Sequence, residues 1–251
     1  MGTIIALANQ KGGVAKTTTV QSLADAYAEM GRRALVVDLD PQACLTFAMG
    51  IDPDQLELSL HDLFMGTAKL DELLIELDSA TLAPATIDLA GAEAHLLTKT
   101  GREFVLARAL RPVAEDYDCV LVDCGPSLGI LTINGLTAAD YVAIPFQAET
   151  LSNRGVGQLL ETVEDVRMFT NQDLRVLGAI ATVHDGRTRL AREVLAALPE
   201  TYGIEVLEPP IPKSVRVAEA PARGVSVLEH AGRSKSAEAY RALAHTIDEK
   251  L

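Results

Sequence analysis

Five short apolar runs set what this chain can become: "TIIALA" (3–8), "RALVVDLD" (33–40), "DCVLVDC" (118–124), "DYVAIPF" (140–146) and "RVLGAIATV" (175–183). Each is too short for a helix and largely apolar on successive residues, so each reads as a strand buried on both faces. Helix patterns lie between them. Residues 16–30 put Leu23, Ala26, Tyr27 and Met30 on one face, and Gly31 closes the pattern. An apolar helix is expected in "LGILTINGLTAA" (128–139) and a long one over 151–169. This alternation predicts an α/β fold: a mostly parallel central sheet with helices on both faces. With 251 residues, one such domain spanning 1–251 accounts for the chain. Residues 50–100 specify less, with short helical patterns between Asp, Pro and Gly turns.

Charge and cysteines narrow the chemistry. No run approaches the length of a membrane span, and three cysteines (Cys44, Cys119, Cys124) show neither metal-ligand spacing nor a disulfide framework. A cytoplasmic setting is expected. The net charge of −13 argues against nucleic acid until its distribution is read. Residues 183–251 hold ten Lys/Arg and ten Asp/Glu, so the whole deficit falls in the first 182. A basic surface can form only in the last quarter.

The stretch "ANQKGGVAKTTTVQSL" (8–23) follows the first strand. The usual phosphate-loop spelling, G-x-x-x-x-G-K-[ST], needs glycine where this chain has Gln10 and Ala15. The stretch instead offers a second lysine, Lys11, before Gly12 and Gly13. A strand, a glycine pair, then a lysine and hydroxyls opening a helix still make an anion site, with N–H groups and the helix's positive end facing the ligand. In it Lys16 reaches the β- and γ-phosphates and Thr17 ligates Mg2+. Alanine at 15 is expected to take helical backbone angles, leaving binding intact; a positive φ there would lower affinity or turnover. Two further strand ends carry acids: Asp38 and Asp40, predicted on one face, and Asp123 after an apolar run. Three strand ends thus converge on one crevice.

These motifs resemble one family. "KGGVAKTT" matches the deviant pattern K-G-G-x-x-K-[ST], and "DLDPQ", "LVDCGPSLGILTINGLTAAD" and "IPKSVRVAEAPARG…SKSAEAYRALA" are similar in order and type to ParA-type partition ATPases of the ParA/MinD family. The likeness runs from residue 3 onward and is weakest between 50 and 115. It implies an ATP- and Mg2+-dependent ATPase whose phosphate cradle is Gly12, Gly13, Val14, Ala15, Lys16, Thr17 and Thr18. Lys11 crosses a dimer interface to the partner's phosphates, as an arginine finger does. Asp40 orients the attacking water, while Asp38 and Asp123 support the metal and its waters. Thr182 to His184, with Ile211, Pro212 and Lys213, align with segments flanking adenine.

The resemblance also implies an ATP-driven homodimer that binds DNA without sequence preference and is stimulated by a ParB-like protein, hence nucleoid association. Candidate DNA contacts are Arg187, Arg189, Arg192, Lys213, Arg216, Arg233 and Lys235. "ETLSNRGVGQ" (149–158), with Arg154 in place of an acid, reads as an altered partner surface. Alternatives are a MinD-like membrane switch, which the tail "SAEAYRALAHTIDEKL" fits poorly for want of large apolar residues, and an orphan ATPase acting on a protein partner. Metal-cluster carriage would want a C-x-x-C pair, and an amidase of the cobyrinate kind a glutaminase domain with no room in this length. The start close to the first strand predicts no helix-turn-helix domain and no operator binding.

Overall fold

The computed structural model describes residues 2–148 and 152–251. Eight strands form one sheet: β1 (Thr3–Leu7), β2 (Ala34–Leu39), β3 (Ile75–Glu76), β4 (Thr81–Ala83), β5 (Cys119–Cys124), β6 (Tyr141–Gln147), β7 (Arg175–Thr182) and β8 (Val206–Leu207), in the order β3-β4-β2-β5-β1-β6-β7-β8. Every pairing is parallel except β3 with β4. The α/β class and mostly parallel sheet expected from the apolar runs are therefore those of the protein.

The helices are α1 (Lys16–Glu29), α2 (Cys44–Ala48), α3 (Leu60–Met65), α4 (Leu89–Leu96), α5 (Val105–Val113), α6 (Ile130–Ala138), α7 (Ser152–Phe169), α8 (Arg189–Tyr202), α9 (Val215–Glu219), α10 (Val227–His230) and α11 (Lys235–Asp248). Strand alternation divides the core between two faces. Ile4, Ala6, Leu35, Val37 and Leu39 pack with residues of α3 to α8, while Ile5, Leu7, Ala34 and Val36 pack with α1, α10 and α11. Each fully buried Leu or Val among them contributes about 1.5–3 kcal/mol over its exposed state. Helix α6 comes close to the sheet because Gly135 lacks a side chain: a Cβ there would lie 2.9 Å from Cys124 Sγ and 3.1 Å from Leu39 Cδ1.

The central strand β1 has β5 on one side and β6 on the other. Chain connections leave in opposite directions from this point, and the loops beyond the C-terminal strand ends open into a crevice. The first strand, the α1 loop and the acid-bearing ends of β2 and β5 all meet there.

Candidate nucleotide site

The loop between β1 and α1 is built from unusual backbone. Gly13 and Ala15 both take left-handed angles, with φ of 74° and 58°. A Cβ on Gly12 or Gly13 would meet nothing within 4 Å, so the loop faces open space. Two carbonyls are tied back to the sheet: Gln147 Nε2 donates to Gly13 O at 2.7 Å, and Thr182 Oγ1 lies 2.9 Å from Val14 O and 3.0 Å from Phe146 O. Asn9 extends the brace, donating to Pro145 O at 2.8 Å while accepting from Lys11 N at 3.0 Å. Alternating left- and right-handed residues with outward-tied carbonyls form a concave N–H surface suited to an anion.

Ala15 corrects the sequence expectation. It is the N-cap of α1 with φ 58°, ψ 34°, not a helical residue. Ala43, the N-cap of α2, is likewise left-handed at φ 50°. An L-residue pays about 1–2 kcal/mol there that glycine does not. Ala15→Gly and Ala43→Gly should each stabilise the protein by about 1 kcal/mol, less the glycine's greater unfolded freedom, and add because they lie on separate loops. Urea unfolding with unchanged slope checks this; a lowered midpoint for either variant would show the left-handed alanines are not strained.

Lys16 is only 7% exposed at the start of α1, and Thr17 Oγ1 donates to Asp123 Oδ2 at 2.6 Å. Asp123 and Asp38 stand side by side in register on β5 and β2. Burial and then the charge of Asp38 push the Asp123 carboxyl up to about 8, against the opposing Thr17 bond and Lys16. Burial likewise raises Asp38 to about 6, against hydrogen bonds from Thr46 and Asp40. With Lys16 as the positive charge acting on Asp123, the two adjacent buried carboxylates still outnumber it, an imbalance that a cation corrects. Asp123 Oδ1 is buried without a hydrogen-bond partner among the described residues. That orphaned oxygen and the Thr17 hydroxyl fit a hard divalent ion. No group of three or more His, Cys, Asp or Glu among the described residues could cage one, so its other ligands would be phosphate oxygens and water, as suits Mg2+.

Asp38, expected to support the metal and its waters, has both oxygens in hydrogen bonds. It is fully buried, Oδ2 accepts from Thr46 N and Oγ1 at 2.8 Å each, and Oδ1 accepts from Asp40 N at 3.2 Å. Its carboxylate fixes α2. Strand β2 ends at Leu39, so Asp40 sits in the following turn, its Oδ1 accepting from Gln42 N at 2.9 Å.

A cleft of about 790 Å³ collects most of the expected nucleotide residues: Gly12, Gly13, Ala15, Lys16, Thr17, Thr18, Asp40, Thr182, Ile211, Pro212 and Lys213. Val14 turns its side chain inward, 1% exposed, and contributes backbone. Thr182 borders the cleft, but its hydroxyl is committed to the loop. Lys11 is not among the residues lining this cleft within one protomer. Sequence reading passed over Gln42, Cys44, Phe47, Pro126, Val217 and Tyr240, which also line it; apolar side chains at a site carry no mark that separates them from core.

The basic residues gather toward one edge. Arg187, Arg189 and Arg192 follow the C-terminal end of β7, Lys213 lines the cleft, and Arg216 precedes its lining residue Val217 on α9. Thr19 meets Tyr240 and Arg32 meets Asp248, so α1 and α11 run in the same sense and Arg233 and Lys235 fall toward that edge too. Three of the arginines are in local ion pairs, Arg187 with Asp185 (2.9 Å), Arg189 with Glu193 (2.6 Å) and Arg216 with Glu219 (3.1 Å), all exposed. Such pairs are worth little and yield readily to a phosphate. Residues 149–151 and the side chain of Arg154 lie outside the described residues.

A parallel sheet, a phosphate loop at its switch point and an acid-lined crevice define a P-loop nucleotide-binding protein. A family model described as an AAA domain matches residues 2–176. The chain is 46% identical to the chromosome-partitioning ATPase Soj of Thermus thermophilus, over 97% of this chain and 94% of that one. It is 41% identical to the sporulation initiation inhibitor protein Soj of Bacillus subtilis, over 98% of both. A solved structure of cobyrinic acid a,c-diamide synthase from Mycobacterium smegmatis with bound ADP and magnesium superposes with a TM-score of 0.87 at 50% identity, covering 98% of this chain and 93% of that one. The chain belongs to the Soj/ParA family of ATPases.

Proposed function

We propose that residues 1–251 act as one Mg2+-dependent ATPase unit, a switch that pairs with a second copy when ATP is bound, binds DNA without sequence preference, and lets go on hydrolysis stimulated by a ParB-like partner. The observation that carries this is the two-lysine phosphate loop ending at the part-buried Thr17–Asp123 pair, in a chain of the Soj/ParA family. Thr17 and Asp123 would hold Mg2+, whose bound charge offsets that of the phosphates. Lys16 and the loop N–H groups seat the triphosphate, Asp40 orients water, and Lys11 reaches the partner's site. The cargo would be a chromosome, plasmid or protein assembly, in the cytoplasm on the nucleoid.

One observation weighs against a membrane-bound mode. The apolar residues Tyr240, Leu243 and Ile247 of α11 are buried against the body of the protein, so this helix has no free face for lipid. Among the described residues, no helix is long and apolar enough to cross a membrane.

DNA binding is tested on a nonspecific duplex with ADP or ATP plus Mg2+ across a salt series. Binding should require ATP and fall steeply with salt, roughly as the number of phosphates neutralised. Substituting Arg187 and Arg189 by alanine together should flatten that slope by about two units if each meets a phosphate. ATP binding with no DNA retention at low salt would exclude this mode and favour an orphan ATPase acting on a protein. Phosphate release that depends on cobyrinic acid and an ammonia source would favour amide synthesis, the activity in the name of the M. smegmatis relative.

A further inference from the structure

The phosphate chemistry leaves Phe47 without a role. Phe64 and Phe146 are fully buried, yet Phe47 on α2 is 57% exposed and lines the nucleotide cleft. The cleft has two characters. Lys16, Thr17, Thr18 and Asp40 make one part polar, while Val183, Ile211, Pro212, Val217 and Pro221 join Phe47 in an apolar lining. A nucleoside triphosphate has the same division, a polyanion joined to a flat aromatic base.

The ring is presented from a fixed backbone. Phe47 N donates to Ala43 O at 3.0 Å. On one side Thr46 is held by the buried Asp38, and on the other Ala48 O accepts from Gln21 Nε2 at 2.5 Å. Just beyond α2, Gly50 lies against Gly224, where a Cβ would fall 2.7 Å from Gly50 Cα. This close approach locks α2 onto the segment that supplies Pro221. An aromatic ring held in water by so many constraints bears an unfavourable hydration cost that a stacked base would relieve.

We infer that Phe47 walls the base end of the cleft and covers one face of the purine, acting as a positioning residue for the triphosphate. The inference rests on the nucleotide reading above and names the residue that fixes the base within it. Asp38 then acts at a distance, holding the helix that presents the ring.

The test compares a non-hydrolysable ATP analogue with inorganic tripolyphosphate, each with Mg2+, on wild type, Phe47→Ala and Phe47→Tyr. Phe47→Ala should bind the analogue about tenfold more weakly and tripolyphosphate as well as wild type does, with Phe47→Tyr restoring the difference. The exposed ring is not part of the core, so thermal unfolding of the variants should match wild type. Unchanged analogue affinity in Phe47→Ala would overturn the inference, as would equal loss for both ligands, which would mark damage to the phosphate loop. Unchanged affinity with an analogue-dependent dimer lost would assign the ring to a contact between copies and overturn it too. Wild type binding neither ligand would instead bring down the nucleotide reading itself.

Discussion

Alanine at position 40 should slow ATP hydrolysis by about a thousandfold while leaving ATP affinity within a few-fold, the range lost when a group that positions or activates the attacking nucleophile is removed. The asymmetry follows from placement. Asp40 lies over Gly125, where a Cβ would be 3.5 Å from the Asp40 carboxylate, in the turn after β2 and outside the loop that seats the phosphates. Its Oδ1 is held by Gln42 N at 2.9 Å, which fixes the carboxylate in the turn. Single-turnover hydrolysis together with equilibrium ATP binding separates the two quantities. Loss of both in parallel would mean that Asp40 supports the loop and not the reaction. The variant should also dwell longer in the ATP-bound form, so DNA retention should rise.

Lys11→Ala should cost as much, about a thousandfold or more in turnover, if its charge acts on the transferring phosphate as an arginine finger does. Its distinguishing consequence appears on mixing. In a dimer of one Lys11→Ala and one Asp40→Ala protomer, the first keeps its own Asp40 and receives an intact Lys11 from its partner, giving one complete site. Two nearly inactive proteins mixed equally should then regain about a quarter of wild-type activity, because half the dimers are mixed and each has one competent site. A lysine acting within its own protomer would give no recovery.

Much of this architecture was legible in the residues, for a physical reason. Strands β1, β2, β5, β6 and β7 are central and buried on both faces, so each leaves a continuous apolar run whose limits agree with the structure to within a residue or two. Strands β3, β4 and β8 span two or three residues and leave no period to read. The convergence of the loop and the acids was visible because parallel strands place their C-terminal ends together. The roles within that cluster were less so. Nothing in "DLD" shows that Asp38 points to Thr46 and α2 while Asp40 borders the cleft. Alanine disfavours left-handed backbone and gives no sign of it in the sequence, so the turns at Ala15 and Ala43 were hidden. Phe47 looks like any other apolar residue until its exposure is known.

The ties on Gly13 O and Val14 O bear on the timing of ligand capture. With its carbonyls already anchored to β6 and β7, the phosphate loop meets ligand as a finished surface, so capture need not wait for the loop to order and carries little entropic penalty. A surface that is the same for ADP and ATP cannot report which one has arrived. Any difference between them must be read elsewhere in the cleft, where Asp40 follows β2.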